Sequence, residues 1–183
     1  MAQVRVGAAP PARRGQAQWN LFQYPPWFVP RTENRQQVES LRERLPDYTI
    51  CVEFRSPMWM TEPRDRERTL GMLEEHGLVF VCVDAPKVSG LPRVLAVTNE
   101  QLMVMRFHGR ADNSWDDNSG SAAERFRYRY SEEELEELVP ALAETASEAR
   151  ESHMLMNNCY RDYAVRNAAE LRDLLARLAD HQG

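Results

Sequence analysis

No apolar run in these 183 residues approaches the ~18 needed to cross a bilayer, so a membrane-spanning segment is not expected. The opening stretch, MAQVRVGAAPPARRGQ, lacks the apolar centre of an export signal, and a cytoplasmic location is the expectation. Cysteine is scarce: Cys51, Cys82 and Cys159 are odd in number and form no CxxC pair. Reduced, small core thiols are therefore expected. Neither GxGxxG nor GxxxxGK(S/T) follows any apolar run, which counts against a nucleotide-binding sheet and gives no cofactor to expect. Positive charge is also in deficit. The formal net charge of -5 disfavours a broad nucleic-acid or anionic-membrane surface, while leaving room for a local basic site.

What is present is an alternation of short apolar runs and helical patterns. Residues 1–18 carry Arg5, Arg13 and Arg14 and no acidic residue, and read as a disordered or unrelated tail in which only residues 4–6 look strand-like. Residues 19–23 form a first strand candidate, stopped by Pro25 and Pro26. Val38, Leu41 and Leu45 then mark one face of a helix ending before Pro46. TICVEF at 49–54 is a second strand. Pro63 opens a helix with Leu70 and Leu73, and Gly77 sits where a C-terminal cap belongs.

LVFVCV at 78–83 is apolar without interruption, as in a parallel strand covered on both faces. Residues 102–107 form a fourth strand. Ser131 and Glu134 make a capping box for a helix that Pro140 should kink. Residues 154–156 are a short fifth strand, and Asn167 is expected to cap the last helix. Strand–helix alternation at crossover spacing predicts an α/β fold with parallel strands. A doubly wound sheet and a barrel both satisfy that pattern.

Strand side chains alternate with period two, which groups Glu53 with Arg55, Cys82 with Asp84, Arg106 with His108, and Leu155 with Asn157. Each group grows polar toward the C-terminal end of its strand, where parallel α/β folds place their sites. Glu53 and Asp84 oppose Arg55, Arg106 and Arg110. The bland reading is an ion-pair network tying strands together. The sharper one is that the carboxylates hold the guanidiniums and leave a cation for a small anionic ligand. His108, which titrates near neutrality, is the candidate proton carrier, with Glu53 or Asp84 orienting it.

A metal held by Glu53, Asp84 and His108 has acceptable ligand types, but the arginines would compete for the carboxylates, and no metal is expected. Gln23, Asn157 and Asn158 offer neutral polar groups. Trp27, Trp59, Trp115, Tyr128 and Tyr130 offer stacking walls or rim packing, with Trp59 the one assigned to the ligand. The polar stretch 111–121 reads as a lid or a passive loop.

LFQYPPWF at 21–28, VEFRSPMW at 52–59, VCVDAP at 81–86, RFHGR at 106–110, RFRYRYSEEEL at 125–135 and MNNCYRDYAVRNAAELRDLL at 156–175 together resemble the YecE-like family, also called domain of unknown function 72. The resemblance implies a TIM-type (β/α) barrel with its pocket at the strand C-termini, lined by Glu53, Arg55, Trp59, Asp84, Arg106, His108, Gly109, Arg110, Asn157 and Asn158. It implies no settled activity.

Family members begin with further strands ahead of the segment resembling LFQYPP. Residues 19–183 are accordingly expected to supply about the last five βα units of an incomplete, N-terminally truncated barrel. A misassigned start, a decayed remnant, or completion by a second copy through open barrel edges would each account for that. The functional expectation is a phosphate- or carboxylate-binding pocket, as in a hydrolase or lyase acting on a small phosphorylated molecule. The alternatives are a nucleic-acid-binding module and a non-functional fragment.

Overall fold

The computed structural model describes residues 3–6, 19–111, 127–158 and 160–182. Within them, strands β1 (Gln3–Val6), β2 (Trp19–Tyr24), β3 (Thr49–Phe54), β4 (Val79–Asp84), β5 (Leu102–Phe107) and β6 (Glu151–Met156) form one sheet in the order β1-β6-β5-β4-β3-β2. Every pairing is parallel. The helices are α1 (Thr32–Arg44), α2 (Pro63–Glu75), α3 (Glu132–Ser147) and α4 (Tyr163–Gln182). The four residues of β1, within the stretch read as a tail, lie beside β6, while the rest of 1–18 falls outside the described residues.

Local chemistry explains most boundaries. Pro63 stands in the first turn of α2, where its missing N–H is not needed. Gly77 follows the helix at φ +61°, a conformation that favours glycine. At α3, Ser131 Oγ accepts from the Glu134 N–H and Glu134 Oε2 accepts from the Ser131 N–H, completing the capping box. The helix then continues through Pro140 to Ser147. No α-helix joins β4 to β5. That connection is a 3-10 turn at Lys87–Ser89 followed by irregular backbone, pinned where Thr98 Oγ1 donates to Leu78 O and accepts from Phe80 N–H.

β2 runs one residue beyond the expected strand and β4 is shifted by one, and two elements differ more. β6 begins at Glu151, three residues before the apolar run, because Glu151 and Ser152 pair with Leu102 and Met103 despite being polar. The last helix begins at Tyr163, so Asn167 lies inside it rather than at its cap. Its amide instead pairs with a neighbouring backbone: Oδ1 accepts from Tyr130 N–H at 3.0 Å and Nδ2 donates to Tyr130 O at 2.9 Å.

The sheet has two unlike faces. Ile50, Val52, Phe54, Phe80, Met103, Met105, Phe107, Met154 and Met156 pack beneath the helices in the main core. The other face carries a smaller cluster of Cys51, Val79, Val81, Val83, Leu102 and Val104. Cys51 and Cys82 are free and buried, and burial pushes the Cys82 thiol up to about 12.

Strong curling makes the second face concave. In a flat sheet β2 and β6 would stand about 19 Å apart, four strand spacings. Yet Trp19 Nε1 donates to His153 Nδ1 at 2.9 Å. That bond leaves His153 Nε2 to donate to Glu151 Oε1 at 3.0 Å.

Candidate site at the C-terminal ends of the strands

Register assigns the polar residues to faces. Gln23 pairs with Glu53, Val83 with Arg106, and Arg106 with Leu155, so these positions share the concave face. Asp84 pairs with Phe107 and belongs to the helix-covered face. The five charged residues grouped by the sequence pattern therefore form two separate clusters. Parity within each strand was right. The relative parity of neighbouring strands, which depends on register, is absent from any single strand's sequence.

The concave cluster centres on Glu53, whose side chain is fully buried. Its Oε1 accepts from Arg55 Nη1 at 3.0 Å, and its Oε2 accepts from Arg106 Nη1. Arg106 Nη1 also donates to Gln23 Oε1 at 3.0 Å, bridging β5 to β2 across the curl. His108 Nε2 lies 2.9 Å from Arg55 Nη1 and 3.3 Å from Glu53 Oε1. A guanidinium can only donate, so Nε2 accepts and the imidazole proton sits on Nδ1. Burial pushes the His108 pKa below its usual value, and Arg55 and Arg106 push the same way against the pull of Glu53. Burial would raise the Glu53 carboxyl, but His108 and the two guanidiniums overcome it and bring the value down to about 2.

With His108 neutral, the guanidiniums of Arg55 and Arg106 both face the Glu53 carboxylate. Among the described residues, Arg106 Nε and Nη2 meet no protein acceptor. Asn157 follows Met156, which pairs with Phe107, and so takes the same face as Arg106 and Leu155. Its backbone N–H donates to Phe107 O at 2.8 Å.

The second cluster surrounds Asp84, which is also buried. Oδ1 accepts from Arg93 Nε at 2.7 Å, and Oδ2 accepts from Arg110 Nε at 2.9 Å and from the Tyr130 hydroxyl at 2.7 Å. Tyr130 Oη in turn accepts from the Gly109 N–H at 2.9 Å. Arg110 also reaches Glu134 and Glu137, so its charge is spent within the protein. Burial works against the Arg110 cation, but the hydrogen bonds and charge of Asp84 win and raise its pKa. Burial and the Asp84 charge together push the Tyr130 hydroxyl up, keeping it a donor. Gly109 holds φ +87°, and a Cβ there would stand 2.7 Å from the Tyr128 Cβ. The turn that carries His108 thus tolerates only glycine without rearrangement.

Several expected ligand contacts move elsewhere. Asp84 and Arg110 bond to each other. Trp59 is fully buried among Phe28 and Phe54 beneath the helices, its Nε1 donating to Phe28 O. Asn158 is buried too, its Nδ2 donating to Tyr128 O and Asn167 Oδ1. Tyr128 and Tyr130 pack edge to face, Trp27 is exposed, and Trp115 with nearly all of the stretch 111–121 lies outside the described residues. The metal trio of Glu53, Asp84 and His108 does not gather. Among the described residues, no three His, Cys, Asp or Glu side chains form a metal-holding group. Arg93 was missed because it lies in irregular chain between strands, where periodicity carries no signal.

Fold and site define a parallel α/β protein with buried charges gathered at the C-terminal ends of its strands. The chain belongs to the family described as protein of unknown function DUF72, whose model matches residues 3–182. It is 31% identical over 160 residues to UPF0759 protein YunF of Bacillus subtilis (strain 168), covering 85% of this chain and 56% of that protein. Two solved DUF72 structures superpose on it. One, from Enterococcus faecalis V583, gives a TM-score of 0.80 at 28% identity, over 86% of this chain and 58% of that one. The other, from Thermotoga maritima MSB8, gives 0.77 at 36% identity, over 87% and 58%. The chain thus spans under three fifths of the length of each of these relatives. No helix among the described residues is long and apolar enough to cross a membrane.

Proposed function

We propose that the concave mouth binds a small anion, a phosphate or carboxylate group, on Arg106 with Arg55 beside it. The observation that carries this reading is Arg106, held at Nη1 by the buried Glu53 carboxylate and by Gln23 while its Nε and Nη2 meet no protein acceptor among the described residues. Glu53 fixes both cations. Gln23 and Asn157 supply neutral polar groups at the edge of the same face. A guanidinium held by a buried carboxylate presents its remaining N–H groups in a fixed fork, which suits an oxyanion.

His108 is neutral near pH 7 and is the group able to take a proton from a bound ligand, as a hydrolase or lyase would require. The architecture that best accommodates such a mouth is a TIM-type barrel, supported by the uniformly parallel order and by the cross-sheet bond from Trp19 to His153. Strands β1 and β2, at the two edges, would then face the gap in that barrel.

A thermal-shift panel of phosphate, sulfate, small carboxylates and divalent cations tests the reading. Phosphate or a carboxylate should raise Tm in the native protein and fail to do so in Arg106→Gln. Stabilisation by divalent cations alone would refute an anion site.

A further inference from the structure

Beyond the pocket, the segments that leave β5 and β6 carry a second concentration of positive charge. Arg127 lies over one ring, that of Tyr160, at 4.9 Å, and Arg161 lies over the same ring at 5.2 Å. Tyr160 follows Asn157 by three residues and donates its backbone N–H to Asn158 O, so the group stands at the C-terminal end of the sheet. The neighbouring carboxylates are committed elsewhere: Asp162 to Arg166 at 2.6 Å and Glu170 to Arg129 at 2.8 Å. Four arginines therefore share two carboxylates, and among the described residues Arg127 and Arg161 have no acidic partner. In a chain of net charge -5, this is a marked local reversal of sign. Arg161 also holds φ +52°, an uncommon conformation for a residue other than glycine.

We propose that Arg127 and Arg161, stacked on Tyr160, form a rim subsite for a second anionic group, so that the ligand is a small molecule bearing two anionic groups on a spacer. The inference rests on the anion pocket at Arg106 and adds the class of ligand. A tyrosine ring that two guanidiniums overlie attracts both by cation–π interaction without neutralising them, leaving their N–H groups for an oxyanion. A ligand engaging pocket and rim together binds more tightly than either anion alone, because the second contact is intramolecular.

Calorimetric titration of the full chain with inorganic phosphate and with a series of α,ω-alkanediol bisphosphates tests this. The same titrations are run on the double variant Arg127→Gln, Arg161→Asn, with asparagine chosen because it tolerates the left-handed backbone. The optimal bisphosphate should bind the native protein at least about tenfold more tightly than phosphate. The variant should lose that advantage while keeping phosphate affinity within about twofold and an unchanged circular dichroism spectrum. An equal affinity for phosphate and every bisphosphate, or an advantage that survives in the variant, overturns the rim subsite and leaves the pocket standing. Absence of phosphate binding to the native protein overturns the pocket reading, and the rim proposal with it.

Discussion

With both oxygens of Glu53 engaged by guanidiniums in a fully buried setting, Glu53→Gln leaves two cations short of their counter-charge. Denaturant unfolding at neutral pH should show a loss of about 3–5 kcal/mol, as when one member of a buried ion pair is removed. The same residue sets an acid limb. The carboxyl titrates near 4.5 when unfolded and about 2 when folded, so its contribution is complete above 4.5 and fades as pH falls toward 2. His108 acts in the same direction at higher pH. Its folded pKa lies below the usual 6.5, so the unfolded chain takes up protons first and stability falls as pH drops below about 6.5. Tm measured against pH should decline in two stages, and His108→Gln should flatten the upper one and shrink the Glu53 limb, since His108 helps hold that carboxyl down. A two-stage profile unchanged in that variant would remove His108 from the account. At Gly109, alanine should cost about 2–4 kcal/mol, combining left-handed strain with the clash on Tyr128.

Among elements, the one with the sharpest test is α4, which is tied to the chain ahead of α3 through Asn167. Its amide satisfies both backbone groups of Tyr130 in the interior, and Asn167→Ala leaves a buried donor and acceptor unmet. A loss of about 2–3 kcal/mol in chemical denaturation is expected, and leucine should rescue none of it. The same element shows where sequence stops being legible. Strands β3 and β5 matched their apolar runs to the residue, since burial alone defines them. The polar start of β6 and the interior placement of Asn167 depend on partners far along the chain. Likewise, period two correctly joined Glu53 to Arg55 and Arg106 to His108. It also joined Asp84 to Cys82, but the common position at strand ends put Asp84 in one pocket with Glu53 and Arg106, whereas facing across strands depends on a register that only the folded sheet defines.

Among the described residues, β1 and β2 stand at the two edges of a curled sheet, and each has a strand neighbour on one side alone. Sedimentation velocity should show association rising with concentration, and a monomer at all concentrations would mean the edges are protected. The wider claim is that the two faces differ in how their arginines are matched. Arg93 and Arg110 share Asp84 with Glu134 and Glu137 under the helices, while Arg106 on the concave side keeps donors without a protein acceptor among the described residues. Selenate, a tetrahedral dianion with an anomalous signal, reads that difference directly. Crystals grown with selenate should show an anomalous peak against the Arg106 guanidinium, absent from crystals of Arg106→Gln. A peak confined to the Arg93 and Arg110 cluster, with none at Arg106, would contradict the account.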